Sequence, residues 1–433
     1  MIKDWLSVTI STICDIYAGN SINEKEKSEK FTGLLNGINY IGTKDVEFDQ
    51  TINYENGVKI PEGISGFKIA PIGSTLLCIE GGSAGRKIGL TKQDVCFGNK
   101  LCAFVPYINS RFVFYFLQTE EFRKIFSFNK NGLIGGVSVN KLKEIEIPLP
   151  PLAEQGRIVE KIEALFSEID AGVESLKNVK NQIKLYRQSV LKNAFDGKLY
   201  KTTEWASSSL KDICLVISDG DHQPPPKSKS GVPFIMISNL HKNSVDLEKT
   251  NFVPDSYYLN LLEKRKPRLN DILFSVVGSY GLVALVDFEK EFCFQRHIAL
   301  LRPNVDEVLP KFLYYTLRSN SVYKQATDCA TGTAQKTVPL SGLREILIPL
   351  PTLDEQKRIV AEIEARFKRV DALETAVQNA LDSAEKLKQS VLKKAFRGEL
   401  VPQNPDDEPE SVLLDRIRAE RAAEQKHRKK GKQ

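Results

Sequence analysis

A repeat at an offset of 201 residues constrains the fold of this chain more than any other feature. Ile147-Pro148-Leu149-Pro150 recurs as Ile348-Pro349-Leu350-Pro351, and the correspondence runs without a gap to Leu199 and Leu400. About half of the aligned residues are identical. Two copies at so long a period indicate duplicated domains rather than a solenoid of short units.

Each copy of the repeat predicts one long helix, because apolar residues recur at spacings of four and three. Gly172 interrupts the first stripe and Arg366 the second. The stripe residues are Ile158, Ile162, Leu165, Ile169, Leu176, Val179, Ile183, Tyr186 and Val190 in the first copy, and Ile359, Ile363, Val370, Leu373, Val377, Ala380, Ala384, Leu387 and Val391 in the second.

The ends of the two helices also carry sequence signals. Thr352 followed by Glu355 fits a capping box, and proline precedes both helices. Gly197 and Gly398 are predicted C-terminal caps. The first helix is expected to run from Leu152 to Phe195, 44 residues or a rod of roughly 65 Å.

The order of the segments sets the direction in which the helices pair. The first helix leads into the second intervening domain and the second helix follows that domain, so paired helices must be antiparallel. Two matching stripes favour such a coiled-coil pair. The alternative is an unpaired amphipathic helix that packs on its own domain.

The two intervening segments are predicted to mix strands and helices. Residues 73–79 and 271–277 are typical of buried strands, and residues 111–128 and 310–325 are predicted to be helical. Motifs such as Ile13-Cys14 and Ile213-Cys214, or Cys96-Phe97 and Cys293-Phe294, recur in the same order at offsets that drift between 200 and 197. We therefore expect two diverged copies of one α+β domain.

Composition excludes several classes of protein. With 41% hydrophobic and 27% charged residues, the chain is typical of a soluble globular protein. It has no apolar run of the roughly 18 to 20 residues that cross a bilayer, and we expect a cytoplasmic protein. Its seven cysteines form no C-x-x-C pair, which indicates reduced core residues rather than a metal or redox site.

No motif predicts a catalytic centre. There is no phosphate-binding G-x-x-x-x-G-K-[ST] loop, no dinucleotide fingerprint and no amino-methyltransferase motif. Residues 81–85 match the G-x-S-x-G nucleophile elbow, but all four histidines lie in the second half of the chain. We therefore interpret residues 81–85 as a glycine-rich turn.

The motif P-L-P-x-L-x-E-Q-x-R-I-V opens both long helices, and each time it follows a domain of about 145 residues. In this the chain resembles the specificity (S) subunit of type I restriction-modification systems, over nearly its whole length. The resemblance implies an α+β fold in which two mixed α/β target-recognition domains are joined by two long antiparallel coiled-coil helices, with an internal pseudo-twofold repeat. It implies target-recognition domains at 1–147 and 200–348, spacer helices at 148–199 and 349–401, and a partly helical tail at 402–433.

The resemblance also implies function and partners. Each recognition domain of such a subunit reads one half of a bipartite, asymmetric site in double-stranded DNA, and the helices bind two modification (M) subunits. The M subunits carry S-adenosylmethionine, and restriction (R) subunits use ATP and Mg, so this chain is expected to be non-catalytic and to hold no cofactor or metal. Carried onto this sequence, the predicted M contacts are Glu154, Gln155, Arg157, Glu355, Gln356 and Arg358; the alternative is that these residues only cap and solubilise the helix starts.

The DNA contacts can be nominated only from side-chain chemistry, by choosing loop residues able to bind base edges or phosphates. The candidates are Arg86, Lys87, Asn99 and Lys100 in the first domain and Gln295, Arg296, His297, Gln335 and Lys336 in the second, with Gln223, Lys227 and Lys229 as weaker ones. The net charge of the chain is only +6, which predicts weak DNA binding by the subunit alone. Half-sites read from one face of B-DNA should be centred about 34 Å apart.

Two other hypotheses stay open. The chain could be a coiled-coil scaffold that recognises protein, or an autonomous DNA-modifying enzyme with an unrecognised site. For the tail, whose residues 416–432 are basic, we expect a frayed and solvated helix; the alternative is a segment that contacts DNA or the M subunit.

Overall fold

The computed structural model describes residues 5–61, 63–130, 135–196, 205–241, 244–333 and 335–430. The chain forms two compact units, one made of residues 1–175 and 380–433 and the other of residues 176–379. Gly197, one of the predicted helix caps, lies outside the described residues. In the described part of the chain, no helix is long and apolar enough to span a membrane. All seven cysteines are described, and none forms a disulfide.

The first domain alternates short strands and helices. Its elements are β1 Leu6–Thr9, α1 Ile10–Ile13, β2 Cys14–Ala18, α2 Glu24–Glu26 with a π-helical turn Lys27–Phe31, β3 Ile38–Ile41, β4 Lys59–Ile60, β5 Ile69–Ala70, β6 Thr75–Cys78, β7 Ile88–Leu90, β8 Val95–Phe97, β9 Leu101–Pro106, α3 Ser110–Phe116, α4 Glu120–Phe128, α5 Val139–Lys143 and β10 Glu146–Leu149. The long helix α6, Leu152–Phe195, follows β10.

The second domain begins and ends with the same order of elements and differs in its middle section. Its elements are β11 Ala206–Ser209, α7 Leu210–Ile213, β12 Cys214–Asp219, β13 Val232–Ile235, a 3-10 turn Ile237–Asn239, β14 Leu240–His241, β15 Ser244–Val245, β16 Asn251–Val253, α8 Asp255–Leu259, a 3-10 turn Glu263–Arg265, β17 Ile272–Ser275, β18 Val283–Leu285, β19 Cys293–Phe294, β20 Ile298–Pro303, α9 Pro310–Leu317, α10 Asn320–Asp328, α11 Leu340–Arg344 and β21 Leu347–Leu350. The long helix α12, Leu353–Ala395, and the tail helix α13, Glu410–Lys430, complete the chain as described.

The sheets of the two domains have the same topology. An antiparallel sheet has the order β2-β9-β6-β7 in the first domain and β12-β20-β17-β18 in the second. A smaller sheet, β4-β3-β8-β5 or β16-β13-β19, contains one parallel pair, β3 with β8 or β13 with β19. In each domain the first strand pairs with the strand that precedes the long helix, β1 with β10 and β11 with β21. The mixed α/β architecture and its internal duplication are therefore confirmed.

The larger core of each domain lies between the antiparallel sheet and the two helices that follow it. Phe104 and Phe112 are fully buried in the first domain, and Phe274 and Phe312 in the second. The start of the neighbouring long helix joins the same core, through Ile158 in the first domain and Ile359 in the second. Burial of apolar surface thus fixes the start of each long helix to the domain that precedes it.

The first long helix has its predicted bounds, and the two shorter segments predicted to be helical are helical, each divided into two helices. Residues 111–128 form α3 and α4, and residues 310–325 fall within α9 and α10. The breaks occur where Thr119 and Ser319 turn into N-caps, accepting hydrogen bonds from the backbone N–H of Phe122 and Val322. A hydroxyl that satisfies a free helical N–H favours a new helix start over continuation of the old one.

Within the second unit, the two long helices pair in antiparallel fashion. Lys180 contacts Gln378, and seven residues later Arg187 contacts Asp371, seven residues earlier on the partner helix. The predicted capping box is present at the start of α12. The Glu355 carboxylate accepts hydrogen bonds from the backbone N–H and the hydroxyl of Thr352, and the backbone N–H of Glu355 donates to the Thr352 hydroxyl oxygen. At its C-terminal end Gly398 adopts a left-handed φ of 73°, which confirms the predicted cap.

One packing motif of the helix pair occurs in both units. Arg187 lies over the ring of Phe367, 5.2 Å from its centroid, and pairs with Asp371. At the positions related by the repeat, Lys388 lies 5.1 Å from the centroid of Phe166 and pairs with Asp170. A cation thus links an aromatic ring and a carboxylate one helical turn apart on the facing helix.

The tail helix is packed, and the expectation of a frayed, solvated helix was wrong. Leu413, Leu414 and Ile417 are buried in the larger core of the first unit. The Arg157 guanidinium binds both carboxylate oxygens of Asp407, at 3.2 and 2.5 Å. The tail therefore belongs to the fold of that unit.

Candidate nucleic-acid interface

Loops at one end of the first domain's sheets are joined by hydrogen bonds. The N–H of Ile79 donates to the carbonyl of Lys100 at 2.9 Å, and the N–H of Gly98 donates to the carbonyl of Ile41 at 2.9 Å. The Lys87 ammonium donates to the carbonyl of Thr43 at 3.2 Å. We call these joined loops, residues 42–52, 79–87 and 98–100, the first recognition edge.

The second domain has an equivalent surface. The N–H of Val276 donates to the carbonyl of His297, and the N–H of Gly278 donates to the carbonyl of Lys336, both at 2.9 Å. A backbone bridge also joins Asp221 to Gln295. We call residues 219–223, 276–281, 295–297 and 335–337 the second recognition edge.

The two edges share a backbone frame. The bond from Ile79 to Lys100 and the bond from Val276 to His297 occupy equivalent positions, which makes Lys100 the counterpart of His297. The turns at 82–85 and 278–281 both end in a left-handed glycine, Gly85 and Gly281. The G-x-S-x-G match is thus part of this turn.

A close approach of backbone requires glycine beside each edge. A Cβ on Gly19 would lie 1.9 Å from the carbonyl oxygen of Phe97, and a Cβ on Gly220 would lie 2.2 Å from that of Phe294. No side chain fits at either distance. The two glycines therefore fix how the chain leaves β2 and β12 on its way to the loops.

The predicted DNA contacts of the first domain all lie on the first recognition edge. Arg86, Asn99 and Lys100 are exposed there. Lys100 is 3.6 Å from the Glu80 carboxylate, an exposed pair. Lys87 is 9% exposed, so its ammonium acts mainly inside the domain.

Five predicted contacts of the second domain are brought together on the second recognition edge. Arg296, Gln335 and Lys336 are exposed, while Gln295 and His297 are partly buried. Burial, aided by the nearby Arg296 charge, lowers the pKa of His297 below its usual value. A neutral imidazole can both donate and accept hydrogen bonds.

Of the three weaker candidates for DNA contacts, one lies on the second recognition edge and two lie outside it. Gln223 is exposed and its N–H donates to the Asp221 carboxylate, so it belongs to the second recognition edge. Lys227 and Lys229 flank Ser228, which bridges to Phe252 on β16. They are exposed, but on the outer side of the smaller sheet rather than within the edge.

A charged cluster beside the second recognition edge was not foreseen. Arg265 is 3.1 Å from Asp221 and 3.7 Å from Asp219, and Tyr257 donates to Asp221 at 3.2 Å. His222 contacts Asp219 at 2.8 Å. The basic run at 264–268 was the available signal, but its pairing with acids 44 residues earlier depends on the tertiary fold.

At the starts of the long helices, the side chains of the two repeated glutamines form hydrogen bonds inside the domains. The Gln155 side chain accepts from the N–H of Asn109 at 3.2 Å and donates to the carbonyl of Pro150 at 2.9 Å. Gln356 accepts from the N–H of Leu309 and donates to the carbonyls of Glu307 and Pro351. Both side chains are fully buried, so the structure does not present these predicted M contacts to a partner.

The neighbouring glutamates differ from each other. Glu154 is 2% exposed, and burial raises its pKa while the Trp5 indole and the Arg157 charge oppose that effect. Glu355 is partly exposed, and its hydrogen bonds with Thr352 lower its pKa. Of the paired arginines, Arg157 binds Asp407, while Arg358 is exposed. The repeat thus places the same residues in different surroundings.

Comparison with known proteins gives a consistent result. The family model described as the type I restriction modification DNA specificity domain matches residues 2–185 and again residues 202–383. The EcoBI specificity subunit of Escherichia coli is 30% identical over 97% of this chain and 93% of its own length. The EcoKI specificity subunit of Escherichia coli strain K12 is 27% identical over 97% of this chain and 96% of its own length.

Solved structures show the same fold. A chain solved in work on complex assembly and conformational transition of the type I R-M system has a TM-score of 0.72 at 20% identity, over 92% of this chain and 98% of that one. The HsdS subunit of Thermoanaerobacter tengcongensis has a TM-score of 0.52 at 21% identity, over 92% of this chain and 97% of that subunit. With two copies of the family model spanning most of its length, the chain belongs to the specificity subunits of type I restriction-modification systems.

Proposed function

We propose that this subunit reads a bipartite, asymmetric site in double-stranded DNA, with domain 1–147 on one half-site and domain 200–348 on the other. As a specificity subunit it is a DNA sequence-recognition component and not itself the catalyst. One observation supports two different half-sites above all. The two recognition edges have the same backbone frame, yet equivalent positions carry different side chains, Asn99 and Lys100 in one and Arg296 and His297 in the other.

The exposed side chains suit the chemistry of the major groove. An arginine pairs with guanine O6 and N7, and an amide pairs with adenine N6 and N7. Arg86 and Asn99 offer these groups on the first edge, and Arg296 and Gln335 on the second. Lys100 and Lys336 are proposed to bind phosphates, which position the protein without reading sequence.

We infer that two M subunits bind near the two helix starts. Arg358 and Glu355 are accessible to a partner, whereas Glu154, Gln155 and Gln356 shape the helix starts from inside. The Arg157 guanidinium is paired with Asp407 of the tail, so we infer that it supports M binding indirectly, by holding the tail near the helix start. In this proposal the M subunits supply S-adenosylmethionine, R subunits supply ATP- and Mg-dependent steps, and the assembly acts on DNA in the cytoplasm.

The test is single-molecule methylation sequencing of DNA from cells that express this chain with its cognate M subunit, with M alone as the control. We expect a bipartite motif with modified adenine on both strands that depends on this chain. Exchanging residues 1–147 for those of a relative should change one half-site and leave the other. No motif with an M subunit proven active with another specificity subunit would overturn the proposal and favour a protein-recognising scaffold.

A further inference from the structure

A short hairpin projects from the first recognition edge. Residues 46–52 turn back on themselves, with a bridge between Val46 and Ile52 and a hydrogen bond from the N–H of Glu47 to the carbonyl of Thr51 at 2.9 Å. Ile52 packs against Gly89 in β7, where a Cβ would lie 2.6 Å from the Ile52 side chain. The hairpin is thus braced against the edge strand, and its tip, residues 47–51, is exposed.

The tip contains a residue in an unfavourable backbone conformation. Gln50 has a φ of +73°, and among the described residues only one other non-glycine residue, Asn270, has a positive φ. A left-handed conformation is costly for glutamine, and glycine would adopt it freely. The Gln50 amide is exposed and makes no side-chain hydrogen bond within the described residues. The fold therefore gains nothing visible from this side chain.

An aromatic ring and two cations stand beside Gln50. Phe48 is 59% exposed, and its ring lies 5.5 Å from the Arg86 guanidinium and 5.1 Å from the Lys87 ammonium. The Arg86 side chain is exposed, and within the described residues its guanidinium donates one hydrogen bond, to the carbonyl of Gly82, so that most of its N–H groups remain available. The hairpin tip thus carries an exposed amide and an exposed ring, and the ring lies against an exposed guanidinium.

These three groups match the readable features of base pairs. A glutamine amide makes paired hydrogen bonds to adenine N6 and N7, a phenylalanine ring packs on the thymine methyl, and arginine binds guanine or a phosphate. Strained residues persist where the side chain serves a function that the fold does not require. We propose that the hairpin 46–52 reads bases alongside Arg86 and Asn99 in the first recognition domain and that Gln50 is a specificity-determining residue. This inference rests on the proposed function of the subunit.

The second domain has a hairpin at the same place in its fold. Strands β14 and β15 pair with each other and pack on β18, the counterpart of β7. The residues that connect them, Lys242 and Asn243, lie outside the described part of the chain.

The experiment replaces Gln50 with glycine in the full chain and determines the methylated motif with the cognate M subunit. Gln50→Gly keeps the left-handed backbone and removes the amide, so the variant should fold at least as stably as the parent. We expect discrimination at one base pair of the first domain's half-site to fall on the order of tenfold to a hundredfold. Phe48→Ala should weaken discrimination in the same half-site.

Asn270→Gly is the matched control, because it makes the same kind of backbone change in the second domain. It should leave both half-sites unchanged. A Gln50→Gly subunit with an unaltered motif, or with changes in the other half-site, would overturn this inference while leaving the bipartite reading intact. Absence of any motif with the parent chain would instead overturn the proposed function.

Discussion

The Arg421 guanidinium of α13 donates to the Asp15 carboxylate at the start of β2, with 2.9 Å between Nη2 and Oδ1. It also donates to the carbonyls of Ser11 and Thr12 and lies 5.3 Å from the centroid of the Tyr107 ring. The two charged residues are 406 positions apart in sequence. The last described helix is therefore held by α1, by β2 and by the residue that follows β9.

Arg421→Ala should destabilise the first unit, because two carbonyls lose the guanidinium that donates to them and the partly buried Asp15 carboxylate keeps only the Tyr107 hydroxyl as a side-chain donor. The expected loss is about 1–3 kcal/mol in the free energy of unfolding, measured by urea denaturation. Arg418→Ala on the same helix breaks an exposed pair with Asp415, with side chains 71% and 75% exposed, and should have almost no effect. Equal losses in both variants would contradict the docking of α13.

Replacing the buried glutamines should cost stability in proportion to their hydrogen bonds. Gln356→Ala loses three bonds and Gln155→Ala loses two. Each buried polar group left without a hydrogen-bond partner costs about 1–3 kcal/mol. Both variants should therefore unfold at a lower urea concentration than the parent, and the decrease should be larger for Gln356→Ala. Gln182→Ala, at an exposed position of α6, is the control. If the variants instead kept full stability but lost M binding, the glutamines would be partner contacts after all.

Glu154→Gln and Glu355→Gln should have opposite effects on stability at neutral pH. The raised pKa of Glu154 means that its ionisation disfavours the folded state as pH rises through that pKa, so removing the charge should stabilise. The lowered pKa of Glu355 contributes stability that is present above the ordinary glutamate pKa and is lost as pH falls, so Glu355→Gln should destabilise.

Thermal unfolding of both variants and the parent chain from pH 7 down to about pH 3 measures these effects. Both differences from the parent should shrink as the pH falls. The Glu154→Gln difference should disappear below the ordinary glutamate pKa, whereas the Glu355→Gln difference should persist until the pH falls through the lowered pKa of Glu355 in the folded chain. A Glu154→Gln variant less stable than the parent at pH 7 would show that its carboxylate is stabilised by a bond rather than penalised by burial.

Glycine substitutions should separate required glycines from tolerated ones. Gly172→Ala lies in the interior of α6 with no atom within 4 Å of the new Cβ, and should stabilise by about 1 kcal/mol. Gly19→Ala places its Cβ 1.9 Å from a carbonyl oxygen and should prevent normal folding of the first domain. Circular dichroism and thermal unfolding distinguish the two. A harmless Gly19→Ala would mean that the chain can leave β2 by another path.

The parts of the fold that local signals determine were predictable from sequence. The long helices carry a sustained apolar period and end signals such as Thr352 and Gly398, and their bounds agree with the structure. What depends on distant residues was not predictable. Tyr186 and Leu373 continue the apolar stripes, yet they remain 47% and 48% exposed, because the helix pair alone does not cover them.

The candidate DNA interface was likewise predictable only where local sequence determines the position of a residue. Turn residues such as Asn99 and Arg296 could be placed on loops from the strands that flank them. The burial of Lys87 depends on Thr43 and Phe48, about 40 residues earlier, and the role of Gln50 depends on a backbone angle that no sequence pattern announces. Likewise, Leu413 and Ile417 have helical spacing, but the surface that buries them comes from the other end of the chain.

The docking of α13 on the first unit has a consequence for biosynthesis. Residues 176–379 form a continuous unit, so all of its residues have been synthesised before residue 380. The first recognition domain is synthesised earlier, but it gains Arg421, Leu413 and Ile417 only when translation has passed them. The domain made first is therefore the one finished last, and a chain truncated during synthesis leaves it without the helix that completes its core.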